Sequence, residues 1–256
     1  MIIKNSEELK ILREGGKRLG AILRQVAKRA LPGVRTIELD RYAEELIAKA
    51  AGVPAFKGYK TYDASSEYPA TLCVSVNDEV VHGIPSEREL KDGDIVGLDI
   101  GMRFGGLYTD TAITVPVGNV DEKYLKLIET TRAALAKGIA EVKAGARLGD
   151  IGAAIQKHAE AGGFSVVKEL VGHGVGRKVH EEPEIPNWGK KGTGAILKEG
   201  MVLALEPMLN EKKDRVKLAS DGWTYVTSDG SRSAHFEHTI VVTKKGAEVL
   251  TQTINN

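Results

Sequence analysis

A ten-residue pattern that occurs twice is the feature that most constrains this chain. Residues 90–99 read LKDGDIVGLD and residues 197–206 read LKEGMVLALE. Each copy has Leu-Lys, an acid and a glycine before an apolar run that ends in a carboxylate, Asp99 or Glu206. The apolar run predicts a buried strand, and the glycine predicts the turn that starts it. A carboxylate at the inner end of a buried strand is costly unless it is compensated, so its recurrence predicts a shared cation.

Three further segments recur in the same order, which indicates duplication of one α/β unit. Gly33-Val34-Arg35 is echoed by Gly145-Ala146-Arg147, residues 80–84 with His82 by residues 171–175 with His173, and residues 109–115 with Asp110 by residues 236–242 with Glu237. We therefore predict one domain over residues 1–256, with pseudo-symmetric halves at about 1–118 and 119–250. Two such halves related by an approximate two-fold axis would form one continuous sheet, with helices outside and the acids meeting at the centre.

Local patterns predict an α+β chain. Apolar residues follow a helical period after Ser6 and again after Thr36. Residues 72–76 predict a short strand, and residues 95–115 predict a hairpin around Gly105-Gly106. Residues 53–70, which contain two prolines and several tyrosines, predict a surface loop.

Composition excludes several classes of protein. A net charge of +1 gives no field that would attract nucleic acid or a membrane surface. The single cysteine, Cys73, excludes an internal disulfide framework and fits a reducing compartment. The first residues lack the apolar core of a signal peptide, and no run is long enough to span a bilayer. We expect a cytoplasmic protein.

The acids of the repeat predict a metal site. Asp99 and Asp110 fall on the two arms of the predicted hairpin, where facing residues have Cβ atoms about 4.5–5.5 Å apart. Oxygen ligands with one imidazole favour Mn, Fe(II) or Co over thiolate-bound structural zinc. Four acids suit two divalent ions held about 3.5–4 Å apart, which generate hydroxide near neutral pH. The alternative is that these acids are solvated strand-end residues in salt bridges.

The histidines divide into two groups. His173 lies between glycines, which allow close backbone approach, and His180 follows it; with His82 they are candidate functional residues. Gly-x-Gly runs can also cradle phosphate, but the required strand-turn-helix context with a nearby lysine is missing. His235 and His238 flank Glu237 and are expected either to be structural or to contact the metal ligands rather than the metal.

A set of apolar and aromatic residues has two open interpretations. Cys73, Tyr59, Tyr62 and Trp223 either pack in the core or line an apolar substrate pocket. Nothing around Cys73 suggests a lowered thiol pKa, so a nucleophilic role is not expected.

With these motifs, the chain closely resembles type I methionine aminopeptidases. The matching segments cover most of the chain: residues 77–85 (NDEVVHGIP), 93–99, 108–110, 172–176 (GHGVG), 180–183 (HEEP), 205–208 (LEPM) and 236–239 (FEHT). The resemblance implies the pita-bread fold. It also implies removal of the initiator methionine from nascent polypeptides with a small second residue, by metal-hydroxide attack on the first peptide bond. The implied cofactors are two divalent ions (Co, Mn, Fe(II) or Zn), and the implied partners are nascent N-termini near the ribosome, with the enzyme a monomer.

The resemblance also implies residue roles. Five residues would be the metal ligands, with Asp110 and Glu237 bridging two ions: Asp99, Asp110, His173, Glu206 and Glu237. His180 would donate a hydrogen bond to the scissile carbonyl oxygen, His82 would contact the substrate near the scissile amide, and Glu206 would also shuttle the proton.

Departures from the family pattern fall around the side-chain pocket. The segment from Tyr59 to Cys73 is longer than in the shortest members, and Val179 stands where relatives often have an aromatic residue. The alternatives are a proline-specific peptidase of the same fold, which usually carries an extra N-terminal domain, a pita-bread binding module without catalysis, or a two-metal phosphatase. The binding module would lose ligands, and the phosphatase would need a basic pocket.

Overall fold

The computed structural model describes residues 1–3, 5–60 and 66–252. Tyr62, one of the predicted pocket residues, lies outside the described residues. Within the described ranges, no helix combines the length and the apolar character needed to cross a membrane.

Four helices occur in the described chain, two in each predicted half: α1 (Ser6–Ala27), α2 (Thr36–Lys49), α3 (Glu122–Ala140) and α4 (Leu148–Gly162). The start of α1 is capped by Asn5, whose side chain accepts the N–H of Glu8 at 2.9 Å. Its apolar stripe, including Leu12, Leu19 and Leu23, is fully buried. Burying each such side chain contributes about 1.5–3 kcal/mol, so this stripe fixes the helix against the sheet.

The strands are short except for one long hairpin. In chain order they are β1 (Val53–Pro54), β2 (Leu72–Val76), β3 (Glu79–Val81), β4 (Ile95–Phe104), β5 (Leu107–Pro116), β6 (Ser165–Val166), β7 (Gly172–Gly174), β8 (Glu181–Ile185), β9 (Val202–Leu205), β10 (Met208–Asn210), β11 (Val216–Leu218), β12 (Tyr225–Thr227), β13 (Ser233–His235), β14 (Glu237–Val242) and β15 (Ala247–Val249).

Nine of these described strands form one sheet in the order β1-β4-β5-β14-β9-β7-β8, with β2 beside β4 and β15 beside β14. Every pairing in it is antiparallel. Helix α1 packs on β4 and β5. The sheet with its covering helices confirms the predicted α+β class.

The same hydrogen bonds occur in both halves. In each half, a glycine with positive φ before the second helix donates its N–H to the leucine that begins the repeated pattern, at 2.8 and 2.9 Å: Gly33 to Leu90 and Gly145 to Leu197. The glycine inside each pattern donates in turn to a residue at the end of a strand, the one directly after β5 and the last one of β14, at 2.9 Å: Gly93 to Val117 and Gly200 to Val242. The repeated residues therefore form the same local structure twice.

The halves differ after the histidine of each copy, because β8 follows β7 but no strand separates His82 from Leu90. There are two further differences. The turn at Gly105-Gly106 joins β4 directly to β5, whereas residues 206–236, which carry β10 to β13, separate β9 from β14. Residues 53–70 form the other difference. Many described residues of this segment are exposed and irregular, as the predicted surface loop requires, but Phe56, Tyr68 and Ala70 are buried and Val53-Pro54 pairs with β4. Phe56, Tyr59 and Tyr68 pack into a cluster with Cys73 and Trp223, so the segment reaches the interior through these aromatic side chains.

Gly83 brings the His82 segment against β2. The Gly83 carbonyl accepts the N–H of Val74 at 2.8 Å, and the Gly83 N–H donates to the hydroxyl of Ser75 at 3.1 Å. A Cβ on Gly83 would lie 2.3 Å from the Val74 carbonyl oxygen. His82 itself adopts φ +59°, a conformation that this contact helps to hold.

We expect Gly83→Ala to destabilise the protein by about 1–3 kcal/mol, because the added methyl meets backbone that cannot swing away. Urea unfolding measures this loss. The matched control is Gly246→Ala, where the added Cβ would meet only the Val142 carbonyl at 3.9 Å, and we expect a change of less than about 0.5 kcal/mol. Equal stability of the two variants would contradict the packing argument.

Candidate metal centre

Five strands that are neighbours in the sheet each bring one predicted ligand to the same region. Across the sheet, the strands follow in the order β4, β5, β14, β9 and β7. In the same order their ligands are Asp99, Asp110, Glu237, Glu206 and His173, of which Glu206 comes directly after β9 and the others lie within their strands. The hydrogen-bond ladder of the sheet therefore holds the set together, although its members are up to 138 positions apart in the sequence.

The ladder register corrects one prediction about the hairpin. Asp99 and Asp110 do not face each other directly: Asp99 faces Ala112, and Asp110 faces Gly101. They are diagonal neighbours, a pairing that lies within reach of long side chains. Glu237 on β14 faces Ala112 from the other side, so Ala112 provides the space in which the carboxylates meet.

Donor atoms converge most closely in one group of three. Ligand atoms of Asp110, His173 and Glu237 all lie within 4.8 Å of one another. Glu206 adjoins this group, with its Oε1 3.3 Å from Nε2 of His173. Asp99 lies close enough for the charge of Asp110 to raise the pKa of its carboxyl group.

Burial raises the pKa values of all four carboxyl groups, and like charge adds to this effect for three of them. Burial, and then the charges of Asp110 and Glu206, raise the pKa of Asp99 well above its ordinary value. Burial raises the pKa of Asp110 to about 7, although a hydrogen bond from the Thr111 N–H lowers it. Burial and the charge of Asp110 raise the pKa values of Glu206 and Glu237 in the same way. Desolvation and like charge both disfavour the ionised forms, so the site needs positive charge to hold these groups as anions.

The protein atoms do not supply that charge. Among the residues that the structure describes, the ion pairs that include these four acids involve only histidines, His173 and His235. Three buried carboxylate oxygens have no hydrogen-bond partner in the described chain: Asp99 Oδ1, Asp110 Oδ1 and Glu237 Oε1. Buried polar atoms left without a partner are rare and costly. Hard oxygen donors of this kind fit divalent cations, and the salt-bridge alternative is not supported.

Histidines surround the acids and are neutral. Burial and neighbouring imidazoles lower the pKa of His173 to about 3 and that of His82 to about 4. Burial likewise lowers the pKa of His235 to about 3. His235 lies on β13 rather than on the Glu237 strand, and its Nε2 is 3.7 Å from Oε2 of Glu206. A neutral imidazole can act as a metal ligand or as a hydrogen-bond donor.

His180 stands at the mouth of the site. Its Nδ1 lies 2.7 Å from the hydroxyl of Tyr59, and its ring meets that of His173 edge-to-face at 4.4 Å. The residue is partly exposed, yet desolvation of its imidazole lowers the pKa of His180 to about 4. His180 is therefore a neutral imidazole near pH 7.

A cavity of about 60 Å³ is lined by the four acids and three histidines together with a group of mainly aromatic residues. Three of the four predicted pocket residues line it, namely Tyr59, Cys73 and Trp223. The prediction missed Phe56 and Tyr68, which also line it. Their aromatic character inside a Gly- and Pro-containing segment was the available signal, because an exposed loop seldom concentrates such residues. Burial raises the pKa of the Cys73 thiol well above its ordinary value, so this thiol is not a nucleophile.

A larger groove of about 720 Å³ adjoins this cavity and shares four residues with it: His82, His173, His180 and Glu206. Its far wall includes Met208 and Leu170. A small cavity joined to an open groove can enclose the first side chain of a bound peptide while the following residues extend along the groove towards solvent.

Known proteins match nearly the whole chain. Residues 10–244 match the model of metallopeptidase family M24. The chain is 49% identical over 251 residues to a methionine aminopeptidase of Clostridium perfringens, covering 98% of each protein. It is 48% identical over 252 residues to methionine aminopeptidase 1 of Bacillus subtilis, covering 98% of this chain and 99% of the relative. These matches confirm the predicted resemblance.

Solved structures agree with the fold. The crystal structure of a methionine aminopeptidase from Thermotoga maritima superposes with a TM-score of 0.93 at 47% identity, covering 98% of this chain and all of that one. A prolidase from Pyrococcus furiosus superposes with a TM-score of 0.77 at 22% identity, with this chain spanning 66% of its length. The predicted pita-bread fold is confirmed, and the prolidase shares that fold.

We expect divalent ions to stabilise this protein more at pH 8 than at pH 5.5. The raised pKa of Asp110, about 7, means that the folded chain without metal loses stability as pH rises from about 4 to about 7, where the unfolded acids are already ionised. A bound cation removes that penalty at high pH and competes with protons at low pH.

Thermal unfolding with and without MnCl₂ at both pH values tests this. Free metal at 100 times Kd adds about 2.7 kcal/mol. Asp110→Asn is expected to reduce the gain at pH 8, whereas Glu87→Gln, an exposed control, leaves it unchanged. A gain independent of pH would contradict the assignment.

Proposed function

This chain belongs to metallopeptidase family M24, and on that premise we propose that it is a methionyl aminopeptidase. It removes the initiator methionine from nascent polypeptides whose second residue is small. The observation that carries this proposal is the group of buried carboxylates without protein cations, placed beside a group of mainly aromatic residues in one small cavity. The full-length similarity to proteins named methionine aminopeptidase supports the same substrate.

Members of this family use divalent metal, and the donor set here fits it. We propose two ions, of Co, Mn, Fe(II) or Zn, held by Asp99, Asp110, His173, Glu206 and Glu237. Asp110 and Glu237, on the neighbouring central strands β5 and β14, would be the central ligands of this set. When bound, such ions lower the pKa of a water and polarise a carbonyl.

The remaining chemistry belongs to side chains of this chain. Glu206 accepts the proton of the attacking water and returns it to the leaving amine, acting first as a general base and then as a general acid. His180 donates a hydrogen bond to the scissile carbonyl oxygen. His82, which lines both cavity and groove, contacts the substrate near the scissile amide.

The methionine side chain occupies the aromatic side of this cavity. Cys73, Tyr59 and Trp223 contact it, with Phe56 and Tyr68 completing the wall. We retain Tyr62 as a further candidate from the sequence. Val179, a smaller residue than the aromatic one common in relatives, packs in the same cluster.

The setting of the reaction follows from the substrate. Nascent N-termini arise at the ribosome, so we propose that the protein acts in the cytoplasm near ribosomes, as a monomer, without a nucleic-acid or membrane partner. The net charge of +1 supports this. We also infer that residues 1–118 and 119–250 are two copies of one unit within a single catalytic domain, 1–256, as their shared hydrogen-bond pattern suggests.

The metal-loaded protein is expected to cleave Met-Ala-Ser peptides and to leave Xaa-Pro peptides intact, because the aromatic side of the cavity accepts a side chain at the first position. Release of free methionine, measured by chromatography, is the assay. Turnover of Xaa-Pro substrates alone would instead support a proline-specific peptidase, the class that shares the fold.

Glu206→Gln is expected to lower kcat by about 10²–10⁴-fold, since the amide cannot carry the proton. Metal content is measured alongside, because loss of a ligand would also lower activity. The matched control is Glu199→Gln, an exposed glutamate of the same repeated pattern. Full activity of metal-loaded Glu206→Gln would show that Glu206 does not transfer the proton.

A further inference from the structure

One contact joins the wall of the side-chain cavity to the histidine at its mouth. The Tyr59 hydroxyl lies 2.7 Å from Nδ1 of His180, across 121 positions of sequence. The two rings meet edge-to-face, with centroids 5.0 Å apart and an interplanar angle of 72°. At this distance the contact is a full hydrogen bond, and it leaves Nε2 as the ring nitrogen that can reach a ligand.

The backbone fixes the position of Tyr59. Its N–H donates to the Phe56 carbonyl at 2.8 Å, and its carbonyl accepts the N–H of Tyr68 at 2.7 Å. The Gly58 N–H donates a further hydrogen bond to the Tyr68 carbonyl at 2.9 Å.

Tyr68 is linked in turn to the His82 segment, because its hydroxyl donates to the Gly83 carbonyl at 2.9 Å. Tyr59 is thus held from several sides rather than resting on His180 alone.

We propose that Tyr59 is a positioning residue whose hydroxyl donates to Nδ1 of His180 and thereby keeps the proton of that imidazole on Nε2. The inference rests on the proposed function, in which Nε2 of His180 donates to the scissile carbonyl oxygen. It gives Tyr59 a role beyond lining the cavity.

The direction of the hydrogen bond follows from the chemistry of both partners. A neutral imidazole has one N–H and one acceptor nitrogen. A carbonyl oxygen only accepts, so a useful His180 must carry its proton on Nε2 and accept at Nδ1. Burial raises the pKa of the Tyr59 hydroxyl, so it keeps the proton that it donates. The opposite tautomer would place a lone pair against the carbonyl oxygen of the substrate.

The contact also couples side-chain recognition to chemistry. The cavity that receives the first side chain is lined by the ring of Tyr59 itself, together with Phe56 and Tyr68 from the same segment. A side chain that displaces this ring would loosen the hydrogen bond to His180. Selection between substrates is then expressed in kcat as well as in KM.

The decisive measurement is the tautomer of His180. Two-bond ¹H–¹⁵N correlation spectra of ¹⁵N-histidine protein, both metal-free and loaded with diamagnetic Zn²⁺, distinguish a protonated from an unprotonated ring nitrogen. His180→Gln assigns the signals. We expect the wild-type protein to show the proton on Nε2 and an acceptor at Nδ1. In Tyr59→Phe, the change that this hydrogen bond causes in the ¹⁵N chemical shift of Nδ1 should be lost. A proton on Nδ1 in wild type would overturn the proposal without any variant.

Turnover provides the second measurement. Tyr59→Phe is expected to lower kcat on a Met-Ala-Ser peptide by about tenfold with little change in KM, as for other residues that orient a functional side chain. Tyr42→Phe, which removes a hydroxyl from the remote helix α2, serves as the control and should retain full kcat. Unchanged kcat and tautomer in Tyr59→Phe would overturn the inference. Absence of Met-peptide cleavage by wild type would overturn the proposed function instead, while the tautomer result would still stand.

Discussion

Mutual repulsion among four buried carboxyl groups is the constraint on which the site depends. Asp99, Asp110, Glu206 and Glu237 lie on or directly after adjacent strands, and like charge raises the pKa of Asp99, Glu206 and Glu237 beyond the effect of burial. Left to themselves, such groups would turn toward water or take up protons. The antiparallel ladder prevents the first, since moving one acid would break backbone hydrogen bonds along a whole strand. The fold therefore holds a concentration of negative charge whose natural counterpart is a divalent cation.

The acids could be found from the sequence because they recur. A carboxylate at the end of an apolar run has an ordinary explanation when it occurs once, but Asp99 and Glu206 end two copies of one pattern, and Asp110 and Glu237 follow in the same order. Strand ends are set by local signals, the turn glycine and the apolar run. The fold class was accessible for the same reason, because helix and strand periodicities are local.

Contacts between distant segments could not be predicted in this way. The hairpin suggested that Asp99 and Asp110 face each other, whereas the real register makes them diagonal; register depends on how many residues the turn consumes. Phe56 and Tyr68 were assigned to a surface loop, because nothing periodic marks an irregular segment that folds inward. The hydrogen bond between Tyr59 and His180 joins residues 121 positions apart, and no residue spacing in the sequence predicts it.

Two stretches that have no counterpart in the other half, one after α2 and one between β9 and β14, determine the direction in which a substrate can bind. A metal site built equally from both halves would bind a peptide in either of two opposite directions, related by the approximate two-fold axis between the halves. The cavity removes this ambiguity, because Phe56, Tyr59 and Tyr68 come from the segment after α2, and Trp223 comes from the stretch between β9 and β14, which has no counterpart between β4 and β5. Under the proposed function, the acids belong to the repeated pattern, whereas these unrepeated stretches give the bound chain its polarity, so that a polypeptide is read from one end only.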